Sequence, residues 1–409
     1  MVYRLAHKGG YVKTSIAISG SKSISNRLLI MQALCPETFT LKNIALSQDT
    51  RVLQAALRDM PTVIDIGHAG TAMRFLTAYL SVYTGTKILT GSERMQERPI
   101  EKVVTALQEL GAQIKYMGRM GYPPLEITGS DLQGGEVSVD GSISSQYISA
   151  LMMIAPTLPD GLRIRLKNHI ISRPYIDLTA GLMQMAGVPV TWEEKSILIP
   201  HKDYSPASIY VEPDWSSASY WYAIAALSEQ SDIFLKGFTK ESLQGDALIA
   251  KMFEKLGIAT KHQEGGIHLT RSEMQEAYFE EDFLNTPDMV QTFAVVLVLK
   301  KIPFKIHGTQ SLRIKETDRI AALQTELKKF GADLKYQDGI LSWDGKLTGA
   351  ATYPHIETYH DHRMALAFAP AALSMPAGIE IDDPEVVVKS YPAFWEDLKT
   401  AGFSVEQVF

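Results

Sequence analysis

Leu107-Gln108-Glu109-Leu110-Gly111-Ala112-Gln113-Ile114 (LQELGAQI) reads as the end of an amphipathic helix, then a glycine, then the start of a strand. Four later segments repeat it: LMQMAGVPV from Leu182, MFEKLGIAT from Met252, LKKFGADL from Leu327 and LKTAGFSVE from Leu398. Their glycines, Gly111, Gly187, Gly257, Gly331 and Gly402, lie 76, 70, 74 and 71 residues apart. One glycine past a helix is punctuation, because it supplies the left-handed end that other residues adopt less readily. Five at a near-constant interval imply a chain built from repeats, longer than the usual solenoid unit and each with room for two helices and several strands. VLQAALRDMP, from Val52 to Pro61, is an earlier sixth copy that lacks the glycine and runs quickly into DIGHAGTAM, so it reads as truncated.

With 409 residues, 45% of them hydrophobic and 21% charged, the chain has the composition of a soluble globular protein with two or three sizeable cores. A formal net charge of −6 argues against a general nucleic-acid binder, so an anion site must be a local gathering of Lys and Arg. The single cysteine, Cys35, excludes an internal disulfide and a cysteine-rich zinc site, and reads as buried packing at a helix end. The first residues carry no apolar signal core and no window approaches a membrane span, so the expected location is the cytoplasm. Neither HExxH, nor GxGxxG, nor a carboxylate cluster with metal spacing occurs, and no metal or dinucleotide is expected.

Gly20-Ser21-Lys22-Ser23-Ile24-Ser25-Asn26-Arg27 joins small hydroxyl residues to two cations between an alternating strand, Val12 to Ile18, and an apolar helix, Arg27 to Leu34. Backbone N–H groups at such a turn favour an anion, although a serine-rich cap with two solvated cations has the same sequence. Similar turns recur at GHAGTAMRFL, ERPIEKV, GSISSQY, SRPYIDL, EPDWSSASYW, IKETDR and DHRMALAF. Lys22, Arg27, Arg74, Arg98, Arg173, Lys315, Arg319, Arg363 and Lys389 lie at or beside these turns. Such a set suits substrates bearing phosphate and carboxylate, since Arg grips both in bidentate fashion and Lys adds a movable charge. Asp288 in NTPDMVQTFA, Glu316 and Asp318 in KETDR, and His362 in DHRM are the acid/base candidates. If IKETDRIAAL is helical, Lys315 and Arg319 share a face with Glu316 alongside; a solvated charge lattice is the plainer reading of that window.

Taken together and in this order, these windows resemble the 5-enolpyruvylshikimate-3-phosphate synthase family of enolpyruvyl transferases. The resemblance implies an α/β fold of α+β repeats: two globular domains, each of three βαβαββ units, in an inside-out α/β barrel arrangement with the first repeat truncated. The implied domains are residues 20–213, and residues 1–19 plus 214–409, with the active site in the cleft between them. The implied reaction moves the enolpyruvyl group of phosphoenolpyruvate onto the 5-hydroxyl of shikimate 3-phosphate, releases phosphate, and needs no cofactor. By motif, Lys22, Ser23, Arg27, Ser144, Ser145, Gln146, Ser172, Tyr175, Asp288, Ser311 and Lys315 would hold shikimate 3-phosphate. Lys22, Gly70, Arg98, Gln146, Arg319, Arg363 and Lys389 would surround phosphoenolpyruvate. Asp288, Glu316, Lys22 and His362 would form the catalytic set, with Asp288 the base and Glu316, in competition with Lys22, delivering a proton to the methylene carbon.

Several positions depart from the family pattern. His68 and Ser311 stand where Asn is usual, Pro213 and Trp215 flank Asp214 where smaller residues are common, and Arg58 to Asp65 is short by about one strand pair. Two alternatives remain: a catalytically silent anion-binding relative, and the transferase acting on UDP-N-acetylglucosamine, whose mobile loop carries a cysteine where this chain reads GSERMQERP. A monomer with small-molecule partners, no nucleic acid and no membrane is expected, and the resemblance at Gly70 further implies sensitivity to glyphosate.

Overall fold

The computed structural model describes every residue except Gly9, Thr38, Ile143, Gln275 and Phe409, so Ile143 of GSISSQY lies outside the described residues. The chain divides into two compact units, Gly20–Val211, and Met1–Ser19 with Glu212–Phe409. In each, the strands lie in mixed sheets that alternate a buried with a solvent-facing row, as in Gln230–Lys236, where Ser231, Ile233 and Leu235 are buried. Some helices are amphipathic, as Glu101–Glu109, and others apolar all round. Val290–Leu299 (VQTFAVVLVL) is buried from Val290 to Val298, as a helix packed among the helices Trp215–Leu227, Arg319–Lys328 and His362–Phe368 must be.

Five four-stranded sheets share one topology, a parallel pair extended on one side by two antiparallel strands, which form a hairpin in four of them. In Gly20–Val211, Val63–Asp65 runs parallel to Thr86–Thr90, which pairs antiparallel with Leu125–Thr128 and through it with Gln113–Tyr116. Gly135–Asp140, Leu162–Lys167, Ser196–Ile199 and Thr191–Glu193 repeat that order. In the other unit, Val2–Ala6 and Tyr11–Ile16 complete sheets made mostly of residues far along the chain: Val2–Ala6 pairs with Ile379–Asp382 and Ser404–Val408, and Tyr11–Ile16 with Gln230–Lys236.

The repeat glycines occupy one structural position. Gly111, Gly187, Gly257, Gly331 and Gly402 follow helices with φ of 100°, 84°, 81°, 86° and 93°. In the first repeat Met60, φ 40°, takes the left-handed place after the helix Gln48–Asp59, and Val63–Asp65 begins three residues later. No hairpin fits in that interval, so Thr40–Lys42 forms only a parallel pair with Ser208–Tyr210. The truncation read from the sequence is thus the loss of one hairpin.

Candidate active site

Gly20–Val211 carries one constellation of the expected residues. The helix expected from Arg27 begins at Lys22, capped by Ser21, because its polar residues are absorbed by buried bonds: Ser25 Oγ accepts from Ala45 N–H at 2.9 Å, and Asn26 Oδ1 from the Thr50 hydroxyl at 2.8 Å. The preceding strand is Tyr11–Ile16, two residues short of the expected end. Gly20 is required there, since a Cβ would fall 1.8 Å from the Asn43 carbonyl oxygen. Neither cation is solvated. Lys22 Nζ lies 3.2 Å from Asp49 Oδ2. Arg27, 2% exposed, donates to Thr179 Oγ1 at 2.7 Å, the Ser23 carbonyl at 2.8 Å, and Ser149 Oγ and the Tyr175 carbonyl at 3.2 Å, with its guanidinium over the Phe75 ring. Burial pushes this group down to about 10, which leaves it charged at neutral pH.

Three helix starts supply the remaining groups of this unit. Ser144 caps Ser145–Ile154 by accepting from Gln146 N–H at 3.3 Å, and Gln146 Nε2 donates to Thr71 Oγ1 at 3.2 Å. Ser172 precedes Arg173–Met185 in the left-handed region (φ 52°), a conformation that costs about 1–3 kcal/mol and marks functional turns. Tyr175 is half-buried one turn later. Gly70 opens Gly70–Val82, where a Cβ would stand 2.7 Å from Arg98 Nη1 and 3.0 Å from Arg74 Nη1. Arg74 is structural: buried, it donates to the carbonyls of Gly70 and Pro99. Arg173, 52% exposed, stacks on Trp192 beside Asp177 and is a surface charge.

The second constellation, in the other unit, is built around Asp288. Arg319 Nη1 donates to Oδ1 at 2.9 Å, Arg363 Nη2 to Oδ2 at 2.9 Å, and Lys315 Nζ lies 3.6 Å from Oδ1. Burial alone would raise this carboxyl, but Arg363, Lys315 and Arg319 outweigh it and hold it well below the usual carboxylate value, against a smaller opposing effect of Glu316. Glu316 accepts from Arg319 Nη2 and Lys389 Nζ, both at 3.0 Å. Arg319, 1% exposed, also donates to Asp361 at 2.7 and 3.3 Å. Asp361 in turn caps His362–Phe368 by accepting from Arg363 N–H at 3.0 Å. Tyr220, pushed up to about 12 mainly by burial, keeps its proton, and its oxygen accepts from Arg363 Nη1 at 3.4 Å.

Two expectations change here. KETDR is not helical: Lys315 is extended (φ −82°, ψ −153°), and the helix starts at Arg319 because Asp318 caps it through Ala321 N–H at 3.2 Å. Lys315 and Glu316 reach Asp288 and Arg319 from a loop, with Ser311 half-buried on the short turn Gln310–Ile314 before it, and the charges form a half-buried cluster around the buried Arg319 instead of a solvated lattice. Cys35 is half-buried, its Sγ donating to the Tyr204 carbonyl at 3.1 Å, and not fully packed. The ring of His362 is buried, with Nδ1 3.4 Å from Asp361 Oδ1. The sequence reading passed over Asp49 and Asp361 as site residues, since an acid at a helix start reads as capping.

A family model described as EPSP synthase (3-phosphoshikimate 1-carboxyvinyltransferase) matches residues 6–64 and 59–398. The chain belongs to the EPSP synthase family. The two matched segments meet where the first repeat has lost its hairpin. A 3-phosphoshikimate 1-carboxyvinyltransferase of Bacteroides fragilis (strain YCH46) is 51% identical over 397 residues, 97% of either chain. One from Sulfurovum sp. (strain NBC37-1) is 36% identical over 421 aligned positions, 95% of this chain and 97% of its own. EPSP synthase from Acinetobacter baumannii superposes with a TM-score of 0.78 at 23% identity over 99% of this chain and 100% of its own. The enolpyruvyl transferase NikO from Streptomyces tendae gives 0.73 at 14% over 100% and 99%. These two share the fold, which is the expected inside-out arrangement of α/β repeats. Among the described residues no helix is long and apolar enough to cross a membrane, and no group of three His, Cys, Asp or Glu could hold a metal ion.

Proposed function

We propose that this EPSP synthase family member transfers the enolpyruvyl group of phosphoenolpyruvate to the 5-hydroxyl of shikimate 3-phosphate, in the cytoplasm, as a monomer and without a metal or cofactor. The observation that carries the reading is the caging of Asp288 by Arg319, Arg363 and Lys315, which keeps a half-buried carboxylate ionised and able to accept a proton. Asp288 takes the proton of the 5-hydroxyl as that oxygen bonds to C2 of phosphoenolpyruvate, and the methylene carbon gains a proton. The tetrahedral adduct then expels phosphate and gives up a methyl proton, which restores the double bond. Glu316, between Arg319 and Lys389, exchanges the proton at the methylene carbon, with Lys22 as its competitor.

Ser23, Arg27, Ser144, Ser145, Ser172 and Tyr175 hold shikimate 3-phosphate with Ser311 and Lys315; Gly70, Arg98, Arg319, Arg363 and Lys389 take phosphoenolpyruvate, and Lys22 and Gln146 serve both. Fixed cations already in place stabilise the developing charge without reorganisation. His362 is assigned to supporting Asp361, because its ring is buried against that carboxylate. Phosphate release from the purified protein is the test: it should require both substrates together. No release with both present overturns the proposal, and turnover with UDP-N-acetylglucosamine in place of shikimate 3-phosphate would reassign it.

A further inference from the structure

Tyr359 and His360 have φ of 53° and 54°, the one pair of consecutive non-glycine residues with positive φ among the described residues. Side chains with a Cβ disfavour that region, so the turn persists only if its surroundings hold it. It leads directly into Asp361, the cap that takes Arg319 and orients the helix bearing Arg363.

What holds the turn is Glu326, on the helix Arg319–Lys328, with its side chain fully buried. Its Oε1 accepts from the Tyr359 hydroxyl at 2.8 Å, and its Oε2 from the Glu357 N–H at 3.2 Å and Lys329 Nζ at 2.7 Å. Lys329 Nζ also donates to the His355 carbonyl at 2.7 Å, at the start of the same segment. On the far side His360 Nδ1 lies 2.8 Å from Asp383 Oδ2, and the Asp361 N–H donates to the Thr358 carbonyl at 2.9 Å. One helix therefore contributes Arg319 directly and, two turns on, a carboxylate that grips the loop ending in Asp361.

We infer that Glu326 is a positioning residue for the enzyme's anion-binding arginines: it clamps the strained turn 357–360 so that Asp361 fixes Arg319 and Arg363 against Asp288. The inference rests on the proposed reaction, in which those arginines take phosphoenolpyruvate. A buried Glu–Lys pair alone would be weak ground, since such pairs often contribute little net stability. Here the carboxylate also receives the backbone N–H of Glu357, just before the strained residues, and the hydroxyl of Tyr359, one of them, and Lys329 is 32% exposed.

The experiment compares Glu326→Gln, Tyr359→Phe and Tyr359→Gly in the full chain by steady-state kinetics, thermal unfolding and amide hydrogen exchange of residues 357–363. Glu326→Gln and Tyr359→Phe should raise KM for phosphoenolpyruvate about tenfold while KM for shikimate 3-phosphate stays within about twofold. Tyr359→Gly loses the whole ring and frees the unfolded chain, so it should unfold at a lower temperature than Tyr359→Phe; it also loses the left-handed strain that the clamp opposes, so its KM for phosphoenolpyruvate should stay closer to wild type. A role in packing alone predicts the same order in both measurements, with Gly the worse, and that result overturns the inference. Lack of turnover by the wild-type chain would count against the proposed reaction instead. In that case faster exchange of 357–363 in Glu326→Gln supports the clamp, and unchanged exchange overturns it.

Discussion

In the unit Gly20–Val211 the buried guanidinium of Arg27 leans on neutral acceptors, the hydroxyls of Thr179 and Ser149 and the carbonyls of Ser23 and Tyr175. In the other unit the equally buried guanidinium of Arg319 is gripped by three carboxylates, Asp288, Glu316 and Asp361. Neutral acceptors satisfy the N–H groups of Arg27 without cancelling its charge, which stays available to an incoming phosphate. Carboxylates cancel much of the charge of Arg319, and Asp288 gains instead, held well below the usual carboxylate value against the pull of its burial. On the proposed reaction the difference divides the work: Gly20–Val211 would anchor phosphate, and the other unit would carry the base.

The largest effect expected from this division is a crossed pair of kinetic changes. Asp288→Asn keeps the shape of the side chain but removes the base, so kcat should fall by about a thousandfold with KM for shikimate 3-phosphate little changed. Arg27→Lys keeps the charge but cannot span four acceptors, so KM for shikimate 3-phosphate should rise at least about tenfold with kcat within about threefold. Steady-state phosphate release measures both. If Asp288→Asn keeps a tenth of wild-type kcat, or Arg27→Lys acts on kcat alone, the division fails.

The sequence disclosed more of the fold than of the partners around each charge. The glycine spacing was readable because Gly111, Gly187, Gly257, Gly331 and Gly402 meet the same steric demand, a left-handed residue after a helix. Met60 meets it too without glycine, so the first repeat showed only as a gap in the pattern. Asp288, Glu316 and Arg319 could be named from their motifs, yet their meeting depends on Asp318 taking the cap and leaving Lys315 and Glu316 in a loop, a local competition that periodicity does not report. Glu326 in QTELKK reads as one more exposed helical charge. Its burial follows from a loop some thirty residues later folding onto it, a contact without a local signature.

A second effect separates two carboxylates within the proton-handling unit. Asp246, on the turn Gly245–Leu248, accepts from the Ser216 hydroxyl and is pushed up to about 6, chiefly by burial with Asp288 and Asp214 adding to it, against Ser216 and Arg363. The unfolded chain releases this proton near 3.8, so stability falls as pH rises from about 4 to about 6 and then levels, a loss on the order of 2–3 kcal/mol. Asp288 has the opposite sign: its depressed value gives stability that is present above 3.8 and lost as pH falls through the lower folded value. Asp246→Asn has no proton to release, so its stability relative to wild type should climb between pH 4 and 6 and then stay level. Urea unfolding across that range checks it, and parallel curves for the two proteins would show that the Asp246 carboxyl is not raised.

The smallest effect tests the phosphate-anchoring unit at its tightest point. In Gly70→Ala the new methyl meets two guanidinium groups, and they differ in freedom: Arg74 is buried and tied to the Gly70 and Pro99 carbonyls, while Arg98 is half-buried and approaches with the far end of a flexible side chain. Arg98 therefore yields, and it is the residue proposed to meet phosphoenolpyruvate. A displacement of a few tenths of an ångström at one of several cations should raise KM for phosphoenolpyruvate only about threefold, with kcat nearly unchanged. Glyphosate spans one more bond between its carboxylate and its phosphorus than phosphoenolpyruvate does, so it has less slack in the same space. Its inhibition constant should rise about tenfold or more, beyond the change in KM. Equal changes in the two constants would mean that the methyl acts through Arg98 alone; no change in either would remove Gly70 from the phosphoenolpyruvate site and leave that ligand to the cations of the other unit.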